Sequence, residues 1–227
     1  MKKVSEKANR VIDTITGPWE KRNLPKMAKA LPDWVMPDHL TILGVFAAIM
    51  IAVGYILTRF SIWWIWLANF GLILHWFADS LDGTLARVRH TERENYGYFV
   101  DHICDAVTTF LVCFGLGASP FMDMRTGMFL AVGYFMLNIY VHTAAYSEGV
   151  FRLSYGRLGP TEVRIIIFIT NIIIIFWNPV ICRIFGQPVR ALDIGGIFVG
   201  TTFLVIFVIS TIKDAIKLDR EDRARHN

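Results

Sequence analysis

The stretch IIIFITNIIIIF, residues 165–176, shows no alternation of polar and apolar side chains. A strand of a membrane barrel must alternate between lipid and lumen, whereas a helix in hydrocarbon satisfies its own backbone and can be apolar all round. The stretch therefore reads as part of a membrane helix. Outward from it, six apolar runs are long enough to cross a hydrocarbon core, which takes about 20 helical residues: 40–58, 61–79, 98–117, 127–146, 164–182 and 194–212. Composition agrees, because 54% hydrophobic and only 19% charged residues, with a mean hydropathy of +0.45, exclude an ordinary soluble domain. The expected fold is all-α, a polytopic membrane protein with six transmembrane helices.

Six spans place both termini on one side, and the basic residues decide which. Nineteen of the 23 Lys and Arg residues fall in the N-terminal segment, the loops after the second and fourth runs, and the tail; only Arg59, Arg125, Arg183 and Arg190 lie opposite. By the positive-inside rule both termini of this integral membrane protein are cytoplasmic. The same distribution accounts for the net charge of +4 and a pI near 9.0 without a nucleic-acid partner. Ahead of the first run, Val4, Ala8, Val11, Ile12 and Ile15 fall at helical spacing, which predicts an interfacial amphipathic helix on the anionic leaflet.

The chain thus divides into a cytoplasmic N-terminal segment (1–39), a six-helix core (40–212) and a cytoplasmic tail (213–227). The basic, proline-broken start carries no apolar stretch of the kind a cleavable signal peptide needs. Cys104, Cys113 and Cys182 form no CxxC, so neither a disulfide framework nor a structural zinc site is expected. Gly196 and Gly200 form a GxxxG in the last run, which permits close helix contact within the chain or in a homodimer.

The chemistry lies in ADSLDGTLARVRHTERENYGYFVDHICDAV, residues 78–107. Asp79 and Asp82 are three apart at the end of the second run; Asp101 and Asp105 are four apart at the start of the third. Each pair lies on one helix face. A cytoplasmic loop of roughly twenty residues joins the two helices as antiparallel neighbours, so the faces meet and four carboxylates converge near the membrane surface. Such a cluster requires cations, and its all-oxygen character suits Mg²⁺, Mn²⁺ or Ca²⁺. Two ions held this way would clamp a diphosphate. Gly83 and Ala86 keep the helix face low, and Arg87 is placed to pair with a phosphate or an aspartate. His75 and His142 lie on apolar runs and read as core histidines.

The pattern Asp79-x-x-Asp82-Gly83-x-x-Ala86-Arg87, then nine residues, then Gly97-x-x-x-Asp101-x-x-x-Asp105, resembles the signature of the CDP-alcohol phosphotransferase family. That resemblance implies a metal-dependent transferase of phospholipid biosynthesis, which moves a phospho-alcohol from a CDP-alcohol to an acceptor hydroxyl and releases CMP. It also implies roles. Asp79, Asp82 and Asp101 would hold two divalent ions, Mg²⁺ or Mn²⁺. Asp105 would complete the metal site and act as general base on the acceptor. Asp82, Gly83, Ala86, Arg87 and Gly97 would form the nucleotide pocket, with Gly97 allowing close packing.

Within the family two branches stay open. PDHLTILG (37–44) resembles the Pro-Asn-x-x-Thr entry to the first span, with Asp38 in place of Asn. DHICDA (101–106) and TEVR (161–164) resemble segments of choline and ethanolamine phosphotransferases, which use diacylglycerol as acceptor. Against that branch, this chain is shorter than those eukaryotic enzymes and has Tyr98 where they carry a glutamate, so the resemblance implies a protein of a prokaryotic cytoplasmic membrane. The other branch uses CDP-diacylglycerol with glycerol phosphate, inositol phosphate or serine. Arg152, Arg157, Arg164 and His102 are the candidate acceptor contacts there. A divalent-cation transporter is the reading outside the family, since membrane carboxylates also line ion paths.

Overall fold

A computed structural model describes residues 14–148, 159–184 and 186–226. Val4, Ala8, Val11 and Ile12 of the expected interfacial helix lie outside the described residues. The chain is mostly helical: α1 (Gly17–Ala30), α2 (Pro37–Leu57), α3 (Ile65–Val88, entered through a 3₁₀ turn at Ile62–Trp64), α4 (Glu94–Gly117), α5 (Met124–Glu148) and α6 (Pro160–Phe176). A two-stranded antiparallel hairpin follows, β1 (Val180–Ile184) and β2 (Gln187–Arg190), and then α7 (Ala191–His226).

Four of these helices, α2, α4, α5 and α7, are long and apolar enough to cross a membrane. The second and fifth expected spans also correspond to helices but differ in character. In α3 the polar side chains of Asn69, His75, Asp79 and Asp82 dilute the apolar run. The fifth run ends early, because α6 stops at Phe176 after 17 residues, just before Pro179, whose missing N–H cannot extend a helix. Residues 180–182 belong to β1 instead. Helix α7 continues as one helix from the expected last span into the expected tail, through residue 213 and beyond.

The organising element is α2, which packs extensively on both α3 and α4, while α3 and α4 meet each other mainly through side chains. Helices surrounded by lipid gain little from apolar burial against one another, so close backbone approach and buried polar bonds carry the association. Small residues supply the approach. A Cβ added at Gly54 would lie 2.5 Å from the Ala68 backbone nitrogen, and one at Gly71 would lie 2.8 Å from Ile51 Cγ1. Polar bonds add a third helix: the Tyr55 hydroxyl donates to Asn171 Oδ1 at 2.9 Å, and Asn171 Nδ2 donates to Asn69 Oδ1 at 2.8 Å. All three side chains are buried, so α2, α3 and α6 are tied together at the end of the bundle where α2 finishes and α3 begins. The GxxxG is used inside the chain, where Gly196 and Gly200 seat α7 on α5 against Thr126, Phe129 and Gly133.

Helix α1 carries no long apolar run. Its Ala28, with Leu24 and Met27, packs on Leu81 and Leu85 near the aspartate-bearing end of α3. Arg89 fastens the chain after α1 by donating to the carbonyls of Leu31, Pro32, Asp33 and Val35. At the other end of α1, Glu20 accepts from Thr161 Oγ1 (2.6 Å), and Glu162 accepts from the Thr16 N–H (2.8 Å), Thr16 Oγ1 (2.9 Å) and the Gly159 N–H (2.9 Å). The start of α6 is thereby pinned to the start of α1.

Replacing Gly54 by Val should lower the unfolding midpoint in detergent, because overpacking a tight contact costs about 1–3 kcal/mol. Gly97→Ala, where an added Cβ meets nothing within 4 Å, should cause no loss in the same melt.

Candidate active site

Because α2 holds α3 and α4 apart, a cleft opens between them at one end of the bundle. Its floor is Leu40, Thr41, Gly44 and Val45 of α2; its walls are His75, Asp79 and Asp82 of α3 and Asp101, Cys104, Asp105 and Thr108 of α4. The connection between the walls is shorter than expected, only residues 89–93, since α3 extends to Val88 and α4 begins at Glu94. His75, 5% exposed, reaches across to the other wall, its Nε2 3.0 Å from Thr108 Oγ1.

Three of the four aspartates converge. Asp79, Asp101 and Asp105 each offer an oxygen within 4.8 Å of the other two. At an effective dielectric near 20, each ionised pair at that distance repels by about 3.5 kcal/mol, so three pairs approach about 10 kcal/mol. One cation reaches the cluster from α6, where Arg164 Nη2 lies 2.7 Å from Asp79 Oδ2. Asp82 stands in the same cleft but apart from the trio. Its Oδ2 accepts from Thr41 Oγ1 at 3.0 Å, and its Oδ1 accepts from the Gly83 N–H. The donor set fits a hard divalent cation: it is purely carboxylate oxygen, half-buried, and open on one side.

The remaining expected residues fall as follows. A Cβ on Gly83 would meet only Arg87 Nη1, at an ordinary 3.5 Å, so packing within the protein does not require a glycine there. Gly97 does not serve close packing, because it sits in an exposed first turn with nothing near it. Ala86 is half-buried; Arg87 is exposed and donates to Thr84 Oγ1 at 3.0 Å. His102 has Nδ1 2.6 Å from the Tyr98 carbonyl and 3.9 Å from Asp101 Oδ2. His142 is not a core histidine: it is half-buried beside His102, with Nδ1 3.0 Å from the Tyr98 hydroxyl. Asp38 pairs with Arg93 at the mouth of α4. Arg152 and Arg157 lie outside the described residues.

The Thr41–Asp82 bond, the Thr108–His75 contact and the Arg164–Asp79 pair were not foreseen. Thr41 carried a signal in the Pro-x-x-x-Thr start of α2. The others depend on which helices meet.

These features define a helical membrane protein with a carboxylate-lined cleft at one end of its bundle. The chain belongs to the CDP-alcohol phosphatidyltransferase family, whose sequence profile matches residues 34–213. That match includes every residue of the cleft and leaves α1 outside. The chain is 30% identical over 205 residues to cholinephosphotransferase 1 of Danio rerio, covering 81% of this chain and 51% of that protein. It is 26% identical over 203 residues to cholinephosphotransferase 1 of Gallus gallus, covering 81% of this chain and 58% of that one. The chain therefore spans about half the length of the curated relatives it matches.

The contact between α1 and α6 carries a pH signature. Burial alone would push the Glu162 carboxyl up, but hydrogen bonds from Thr16 and Gly159 outweigh it and hold the group below its ordinary value of 4.5. A depressed carboxyl contributes stability that is complete above its unfolded value and fades as pH falls through the lower folded value. Thermal unfolding between pH 3 and pH 7, which spans the ordinary glutamate range of about 4.3, should show this loss below that range in the native chain. Glu162→Gln should melt lower at neutral pH and lack that contribution to the acid slope.

Proposed function

We propose that the protein is an integral membrane CDP-alcohol phosphotransferase of phospholipid biosynthesis, moving a phospho-alcohol from a CDP-alcohol to an acceptor hydroxyl with release of CMP. The observation that carries this reading is the convergence of Asp79, Asp101 and Asp105 in one open cleft, within a chain of this family. Asp79, Asp82, Asp101 and Asp105 would hold two Mg²⁺ or Mn²⁺ ions, whose charge would neutralise the diphosphate and the departing phosphate. Asp105 takes the proton from the acceptor hydroxyl as that oxygen attacks phosphorus in line with the leaving CMP. Thr41 fixes the rotamer of Asp82 through its hydroxyl. Gly83 keeps the helix surface low where the nucleotide approaches, beside Ala86 and Arg87.

In this reading six helices, α2 to α7, make up the core that spans the membrane, and the cleft and both termini face the cytoplasm. The aminoalcohol branch, with diacylglycerol as acceptor, is favoured by the two cholinephosphotransferase relatives.

The test is CMP release by the purified protein with Mg²⁺ or Mn²⁺. CDP-choline or CDP-ethanolamine plus diacylglycerol should support it; CDP-diacylglycerol with glycerol phosphate, inositol phosphate or serine should not. Asp105→Asn should lower the rate at least about 100-fold, the scale of a lost general base, and chelation should abolish it. Full turnover by that variant, or turnover in excess chelator, contradicts the reading.

Gly83→Ala separates ligand approach from folding. Alanine is the better helix former by about 1 kcal/mol, so the melt should not fall. The kcat/KM for the CDP donor should drop about tenfold, the effect of one misplaced methyl group.

A further inference from the structure

Arg164 comes from a helix that is not part of the aspartate motif, yet its guanidinium sits on that motif. Its side chain is 14% exposed and that of Asp79 26%, so the pair is largely shielded from water. The position is fixed from below: Glu162 and Thr161, at the start of the same helix, are bonded to Thr16 and Glu20 of α1. Helix α6 also packs along α3, which carries Asp79. A shielded carboxylate cluster without a counter-ion repels itself, and here a fixed guanidinium supplies one of the missing charges.

The same charge becomes redundant once metals are present. The cleft carries four carboxylates, Asp79, Asp82, Asp101 and Asp105, and two divalent cations balance them in full. A guanidinium left on Asp79 would then face two dications at short range while occupying an oxygen that a metal requires. Arginine has a long flexible stem on a helix surface, so it can leave without any movement of the backbone.

We propose that Arg164 is a resident counter-ion of the acidic cluster, which holds Asp79 while divalent cations are absent and releases it when they bind. The inference rests on the metal-binding reading of the cleft and adds a competition within it. Arg164 is a positioning residue here, acting through Asp79. It keeps the empty cleft assembled, and it makes metal binding weaker than the carboxylates alone would allow.

The experiment measures Mn²⁺ binding to the full chain in detergent, by the electron paramagnetic resonance signal of free Mn²⁺. Thermal unfolding of the same samples is recorded with and without the ion. Arg164→Met should bind Mn²⁺ about tenfold more tightly than the native chain, the scale of removing one partly screened charge. Its metal-free form should melt lower, and Mn²⁺ should stabilise it by more than it stabilises the native chain. Arg164→Gln should behave alike and serves if the methionine variant does not fold; Arg164→Lys, which keeps the charge, should bind closer to the native value. Unchanged Mn²⁺ affinity in the neutral variants overturns the competition. A 10- to 100-fold loss also overturns it, because that is the mark of a group that orients Asp79 for the metal. If the native chain binds no Mn²⁺, or Asp105→Asn binds it equally well, the metal reading itself fails and takes the inference with it.

Discussion

Mutual repulsion among carboxylates is the constraint to which the rest of this structure answers. Asp79, Asp101 and Asp105 stand within 4.8 Å of one another in a half-buried cleft, an arrangement that would spring apart if the helices were free to move. They are not free. Helix α2 is clamped to α3 through Gly54 and Gly71 and to α4 through Gly115 against Ala52, and α2, α3 and α6 are joined through Tyr55, Asn171 and Asn69. The scaffold therefore imposes the proximity, and the charges within the cleft must be compensated in place.

Compensation is layered. Asp82 is stabilised by a hydroxyl from α2 and a backbone N–H, and Asp79 by a guanidinium from α6. The ties between α1 and α6 set where that guanidinium stands, which gives α1 a part in the site although it contributes no side chain to the cleft. Strength of packing and ordering of the site thus come from the same contacts. In a bilayer this is economical, since polar bonds and small residues are the means by which helices associate at all.

Much of this was legible in the residues. The helical class followed from apolar runs without alternation; the spacings of three and four residues led to an expected convergence of four aspartates, of which Asp79, Asp101 and Asp105 meet and Asp82 stands apart in the same cleft. The role of α2 as a spacer was not legible, because it depends on glycine and alanine contacts that are neutral in any hydropathy profile. Helix α1 escaped notice because its buried face is only Leu24, Met27 and Ala28, with Pro25 inside it. The early end of α6 and the hairpin after it follow from Pro179 and Gly186, the latter at φ +78°, yet Pro179 lies within the run 164–182, which is apolar enough to read as a span. The pairing of Arg164 with Asp79 joins positions 85 residues apart and required the fold.

The central claim is that this cleft is a divalent-metal centre serving phosphoryl transfer. The most direct measurement is the structure of the chain with Mn²⁺ and a CDP-alcohol, with the ions located by their anomalous scattering. The account predicts Mn²⁺ bound by Asp79, Asp101 and Asp105, with Asp82 at the same centre and the diphosphate of the donor against the ions. Mn²⁺ found away from these carboxylates, in a preparation that releases CMP, would contradict it.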